Sequence, residues 1–144
     1  MTTYRESRPA LLSLRTTLHL DAVVTGANGL AYTAGATVLD DLLGPTAPVL
    51  AGIGVFLIGY ALLVAWAGAR DPIRKQMATL IIYLNVTWVA ASLVVAASDL
   101  LALTTVGRIW VVLQAIVVGG FALVQVLALR ASRYPVAPGG DGDT

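Results

Sequence analysis

Four stretches of about 20 apolar residues each, Leu18–Leu39, Pro48–Ala67, Met77–Ala97 and Ile109–Leu129, leave this chain little choice of environment. A helix of that length rises about 30 Å at about 1.5 Å per residue, the thickness of a bilayer's hydrocarbon core. A water-soluble fold would have to bury four such helices on every side. With 144 residues, 58% of them hydrophobic and 12% charged, and a mean hydropathy of +0.83, the sequence lacks the polar surface to cover them. The expected fold class is all-α integral membrane, an up-down bundle of four transmembrane helices over residues 1–133 as one domain. Residues 10–17 either form an interfacial turn or extend the first helix, and the Pro/Gly-rich tail 134–144 is expected to be disordered.

The loops carry an orientation signal. If all four runs span, one side holds Arg5, Arg8, Arg15, Arg70, Arg74, Lys75, Arg130 and Arg133, and the other holds only Arg108. Basic residues are retained on the cytoplasmic face, so both termini are expected there. Arginine outnumbers lysine and alanine, valine and leucine dominate, which points to a high-GC bacterial genome and so to a bacterial inner membrane. The first run carries His19, Asp21, Asn28 and Tyr32 and is longer than the 7–15 apolar residues of a signal peptide, so it is expected to stay as a helix.

Several functions are unfavourable on composition. A net charge of +1 with scattered basic residues gives no nucleic-acid footprint. Cysteine is absent, which removes thiolate chemistry, and a single histidine makes a poor transition-metal site. No nucleophile elbow, phosphate loop or paired-histidine spacing occurs. The expectation is no enzyme acting alone, with a subunit of a membrane oxidoreductase as the remaining alternative, no cofactor and no metal, and the bilayer and another membrane protein or a second copy of the chain as partners.

Polar residues inside apolar runs are costly without partners and are therefore the candidates for function. In the first run, Asp21, Thr25, Asn28 and Tyr32 fall within a stripe about 60° wide at about 100° per residue. Asn85, Ser92 and neighbouring Trp88 mark the third, Gln114 and Gln125 the fourth. The second offers no polar stripe; its Gly52, Gly59 and Trp66 recur at heptad spacing, a groove for close helix approach. Counted from the edges of the apolar runs, Asn28 and Asn85 lie at similar depth and are expected to pair or to face one cavity. Asp21, near the edge, reads as a hydrated interfacial charge beside Arg15 or as a coupling carboxylate. Trp66 and Trp110 read as an interfacial belt. Gly59–Leu63 resembles Gly120–Val124, and Asp40-Asp41-Leu-Leu resembles Asp99-Leu-Leu, as two parallel-repeat hairpins would, although chance matches are common in so biased a composition.

The segment Leu14-Arg15-Thr16-Thr17-Leu18-His19-Leu20-Asp21-Ala22-Val23-Val24-Thr25-Gly26-Ala27-Asn28-Gly29 resembles the opening of small four-helix integral membrane proteins of bacteria. Leu84-Asn85-Val86-Thr87-Trp88-Val89-Ala90-Ala91-Ser92 is similar to a later segment of them. The resemblance covers nearly all of the chain except the tail; it implies the fold and no activity. The layout is also distantly similar to DoxX-like proteins. Small multidrug-resistance transporters share the size, but their hallmark is a glutamate in mid-helix one, where this chain has Ala27-Asn28-Gly29. That departure counts against proton-coupled drug export.

Two functional readings follow. The leading one is a non-catalytic accessory subunit or helix-association module, held by small-residue grooves (Gly52/Gly59, Gly119-Gly120, Ala31/Gly35) and by amide contacts. The alternative is a small-molecule transporter or ligand-binding protein with a polar cavity between the first, third and fourth helices. They are distinguished by whether the polar stripes converge on each other or on a void.

Overall fold

A computed structural model describes residues 13–131 of the chain. Among them the fold is all helical: α1 (Leu14–Ala34), α2 (Ala36–Leu43), α3 (Ala47–Ala69), α4 (Lys75–Ala97) and α5 (Thr105–Ala131). Residues 10–12, the expected disordered tail, and Arg5, Arg8 and Arg133 lie outside the described residues.

The first apolar run is not one helix. It starts four residues earlier than the run, at Leu14, where the Ser13 side chain caps the backbone N–H of Thr16 at 3.1 Å. It is interrupted at Gly35, which closes α1 and opens α2. Gly44, at φ 106°, ends α2, and a Cβ there would meet the Ala102 carbonyl and the Thr104 N–H. The Thr104 N–H donates to the Leu43 carbonyl at 3.0 Å and its hydroxyl to the Leu42 carbonyl at 2.6 Å, tying α2 to the start of α5.

Helices α3, α4 and α5 are long and apolar enough to cross a membrane. Most of their surface is apolar and outward-facing, with Val55, Leu62, Tyr83, Val94, Ile116 and Leu123 all exposed. That is the surface of a membrane protein. Helix α1 falls short of that composition because its polar residues number too many, yet its own outward residues, Leu20, Val23, Val24 and Leu30, are apolar and exposed.

The bundle is built from two tight pairs, α1 on α3 and α4 on α5, joined mainly through α1 and α5. Glycine sets the first pair: a Cβ on Gly29 would come 2.8 Å from the Gly54 carbonyl, and one on Gly54 would come 2.4 Å from Thr33 Oγ1. Gly26 meets Ala61 and Gly68 meets Leu18 and His19 along the same seam. The groove expected at Gly52 and Gly59 is not part of it. Both are exposed with nothing near their Cβ positions, because they stand two residues, about 200°, from the inner face of α3 at Leu50, Gly54, Leu57, Ala61, Val64 and Gly68. Gly120 is likewise open, and Gly119 makes only an ordinary contact with Val89.

One end of the bundle gathers the start of α1 with the α3–α4 connection. Arg15 donates to the Arg70 carbonyl at 3.2 Å and pairs with Asp71 at 3.4 Å. At the other end Arg108 donates to the Ala96 carbonyl and pairs with Asp99 at 3.4 Å.

Candidate functional site

At the centre of the bundle a carboxylate is held by side chains of three helices, with a fourth joined to the cluster through Asn85. Asp21 of α1 is fully buried. Its Oδ2 accepts from Asn85 Nδ2 of α4 and from Gln125 Nε2 of α5, each at 2.8 Å. Its Oδ1 accepts from the Thr25 hydroxyl one turn on, at 3.1 Å. Asn85 Nδ2 also donates to Gln125 Oε1 at 3.2 Å, and Asn85 Oδ1 accepts from the Tyr60 hydroxyl of α3 at 2.7 Å. Both amides and the carboxylate are thereby closed on one another, and among the described residues no buried side-chain polar atom is left without a partner.

This corrects the expectation for Asp21. It is buried within the bundle, not hydrated, and it is not paired with Arg15, whose partner is Asp71; neither ion pair among the described residues involves Asp21. Helix α1 begins at Leu14, four residues before the apolar edge, so Asp21 lies about two turns inside the helix rather than at its end. Asn85 hydrogen-bonds to Asp21 rather than to Asn28, which lies two turns further along α1, and of the two outcomes expected for the asparagines the structure shows the shared hollow: both line one small void. His19 takes no part: it is exposed and its Nδ1 donates to the Arg15 carbonyl at 2.7 Å.

The other half of the polar set surrounds space. Asn28, Tyr32, Trp88, Ser92 and Gln114 line a cavity of about 230 Å³ between α1, α4 and α5, closed on the α3 side by Ile53. A smaller void of about 30 Å³, the room of one water, lies between this cavity and the Asp21 cluster, with Thr25, Asn28, Tyr60, Asn85 and Gln114 on its wall. Trp88 forms one side of both, stacked on Phe56 with ring centroids 5.9 Å apart. Tyr32 is held by Trp110, whose indole N–H donates to the tyrosine hydroxyl at 2.7 Å. Trp110 is therefore more than a member of an aromatic belt. Trp66 at the opposite end lies under the Arg70 guanidinium, 4.2 Å from its ring centre.

No family model, curated protein or solved structure matches the chain.

The structure thus divides the nine sequence candidates. It brings Asp21, Thr25, Asn85 and Gln125 into one closed cluster and arranges Asn28, Tyr32, Trp88, Ser92 and Gln114 around a hollow. Sequence reasoning missed Tyr60, which joins α3 to α4 where those helices touch little. The available signal was its place as the one polar side chain midway along an otherwise apolar helix. Chemically, the cluster offers an acceptor-rich buried carboxylate sealed by neutral donors. The cavity offers two amides and a serine hydroxyl on an apolar wall, the make-up of a small-molecule site. Among the described residues no group of acidic or histidine side chains could hold a metal ion.

Proposed function

We propose that this protein is a four-helix membrane protein that binds a small molecule in the cavity between α1, α4 and α5, as a ligand-binding or transport protein. The observation that carries the reading is the hollow itself, with Asn28, beside its hydrogen-bond partner Tyr32, and Ser92 and Gln114 in its wall from three helices. Polar groups that served only to hold helices together would close on one another, as Asp21, Asn85 and Gln125 do. In this reading α1 crosses the membrane with α3, α4 and α5, its charged and amide side turned into the bundle and its apolar side to lipid. Both termini lie on the cytoplasmic side of a bacterial inner membrane, with the Arg15, Arg70, Arg74 and Lys75 end. The Asp21 cluster fixes the relative positions of the four helices below the site.

The test is native mass spectrometry of the protein taken from its own membranes in mild detergent. A discrete small-molecule adduct, lost in Ala91→Phe, is expected; Ala91 lines the cavity from an exposed position, so the ring fills it without disturbing the core. Adducts unchanged in that variant, or none at all, would overturn the reading.

A second reading, an accessory subunit or self-assembling module, is favoured by the open face of α3. Gly52 and Gly59 leave it smooth and uncovered, as a further helix would require. Recovery of a stoichiometric membrane partner, lost in Gly52→Leu/Gly59→Leu, would support it; a solitary protein would oppose it.

A further inference from the structure

The ligand's class follows from a second hollow that adjoins the cavity. Where Gly35 breaks the first helix, α2 packs on α3 and α5, and a groove of about 480 Å³ remains between α1, α2 and α5. The groove and the cavity share Asn28 and Tyr32 in their walls, so that pair stands between the two hollows. Beyond the pair the groove wall is apolar apart from the Trp110 indole N–H, which is already engaged by Tyr32. Its rim residues Leu42, Ile109 and Leu113 are each at least half exposed, at 50%, 57% and 50%, on the outward surface of the bundle. The groove therefore opens sideways, toward the acyl chains if the bundle spans.

Charge narrows the class further. No side chain lining either hollow is charged. Arg108, the nearest cation on α5, is bonded to the Ala96 carbonyl and paired with Asp99. Asp21 is sealed from the cavity by its three donors. A carboxylate, phosphate or ammonium placed here would be buried without a counter-charge, which is costly; a hydroxyl or ester would find donors and acceptors in the Asn28 and Gln114 amides and the Ser92 hydroxyl.

We propose that the site takes a neutral single-chain amphiphile laterally from the bilayer, its hydroxyl or ester headgroup among Asn28, Ser92 and Gln114 and its hydrocarbon tail along the α2–α5 groove. The inference rests on the ligand-binding reading above and deepens it.

The probes are a 1-monoacylglycerol with a diazirine in its acyl chain, and a fatty acid and an alkyltrimethylammonium of equal length bearing the same group. Each is photolysed with the full chain in phosphatidylcholine nanodiscs, and the labelled residues are mapped by mass spectrometry. The monoacylglycerol is expected to label Leu39 to Leu42 and Ile109 to Leu113 saturably, about tenfold above either charged probe. Ala31→Phe, which fills the groove from an exposed position on its wall, is expected to lower that labelling about tenfold while leaving the thermal unfolding curve in place. Labelling spread evenly onto Leu62 and Leu123, equal labelling by a charged probe, or indifference to Ala31→Phe would overturn the assignment. If these fail while the protein from its own membranes still carries an adduct lost in Ala91→Phe, only the amphiphile assignment falls. If both fail, the ligand-binding reading falls with it.

Discussion

Replacing Asp21 separates hydrogen-bond geometry from charge as the force that holds the four helices. Asp21→Leu removes three bonds at once and leaves Asn85 Nδ2, Gln125 Nε2 and the Thr25 hydroxyl facing a side chain that cannot accept. Two of them cross between helices; such bonds contribute about 0.6 kcal/mol on average and up to about 1.7, so the pair amounts to about 1–3 kcal/mol, with the Thr25 bond inside α1 adding about 1. Asp21→Asn has a different consequence. The carboxamide oxygen in the place of Oδ2 still accepts from both amides, and its NH2 in the place of Oδ1 donates to Thr25 Oγ1. The Thr25 hydroxyl then turns to the backbone carbonyl four residues before it, a bond that threonine commonly makes in helices. Every group keeps a partner, and the change is expected to stay within about 1 kcal/mol. The assay is reversible unfolding by sodium dodecyl sulfate in mixed micelles, followed by far-ultraviolet circular dichroism. Asp21→Asn losing as much as Asp21→Leu would refute the reasoning, since the charge and not the bonding pattern would then be the essential element. An unaffected Asp21→Leu would refute it equally.

The remaining predictions concern packing, topology and the cavity's support. Gly54→Ala drives a methyl to within 2.4 Å of Thr33 Oγ1 and is expected to cost about 1–3 kcal/mol in the same unfolding assay, whereas Gly52→Ala and Gly59→Ala meet open space and stay within about 0.5 kcal/mol. Equal losses at all three would contradict the α1–α3 seam. Trp110→Phe removes the bond that holds Tyr32 and is expected to destabilise by about 0.5–1.5 kcal/mol, measured as the shift of the thermal midpoint. Arg15→Ala breaks an exposed pair at 3.4 Å and should cost no more than about 1 kcal/mol, falling further in high salt. Alkaline phosphatase fused after Thr46 should be active and after Lys75 inactive; the reverse pattern would invert the orientation.

Much of the site was legible because a helix's period is fixed. Asp21, Thr25 and Tyr32 share a narrow stripe in sequence, and all three are buried in the bundle, Asn28 beside them on the cavity wall. Asn85, Ser92 and Gln125 were legible for the same reason, as polar breaks in apolar runs that proved to be buried. What periodicity cannot supply is the axial register between helices. Counting from the apolar edge placed Asn85 opposite Asn28; the two do face one small void, but the hydrogen-bond partner of Asn85 is Asp21, two turns earlier on α1. The choice among glycines failed similarly: Gly52 and Gly59 have the tidier spacing, but the face of α3 that meets α1 is decided by which side Leu50, Leu57 and Val64 bury. The break at Gly35 was hidden within a run of small residues that no local rule obliges to bend.

The account turns on the division of the polar residues into a closed cluster and an open cavity, and the natural absence of cysteine makes that division directly measurable. Single-cysteine variants Ser92→Cys, Gln114→Cys, Ala22→Cys and Leu93→Cys would be exposed, in membranes, to N-ethylmaleimide, which is small and crosses the bilayer but reacts only where a thiol can ionise. Ser92 and Gln114 line the cavity, Ala22 is buried beside Asp21, and Leu93 faces outward among apolar residues. The prediction is rapid modification at positions 92 and 114 and none at 22 or 93. Unreactive cysteines at 92 and 114, or a reactive one at 22, would contradict it.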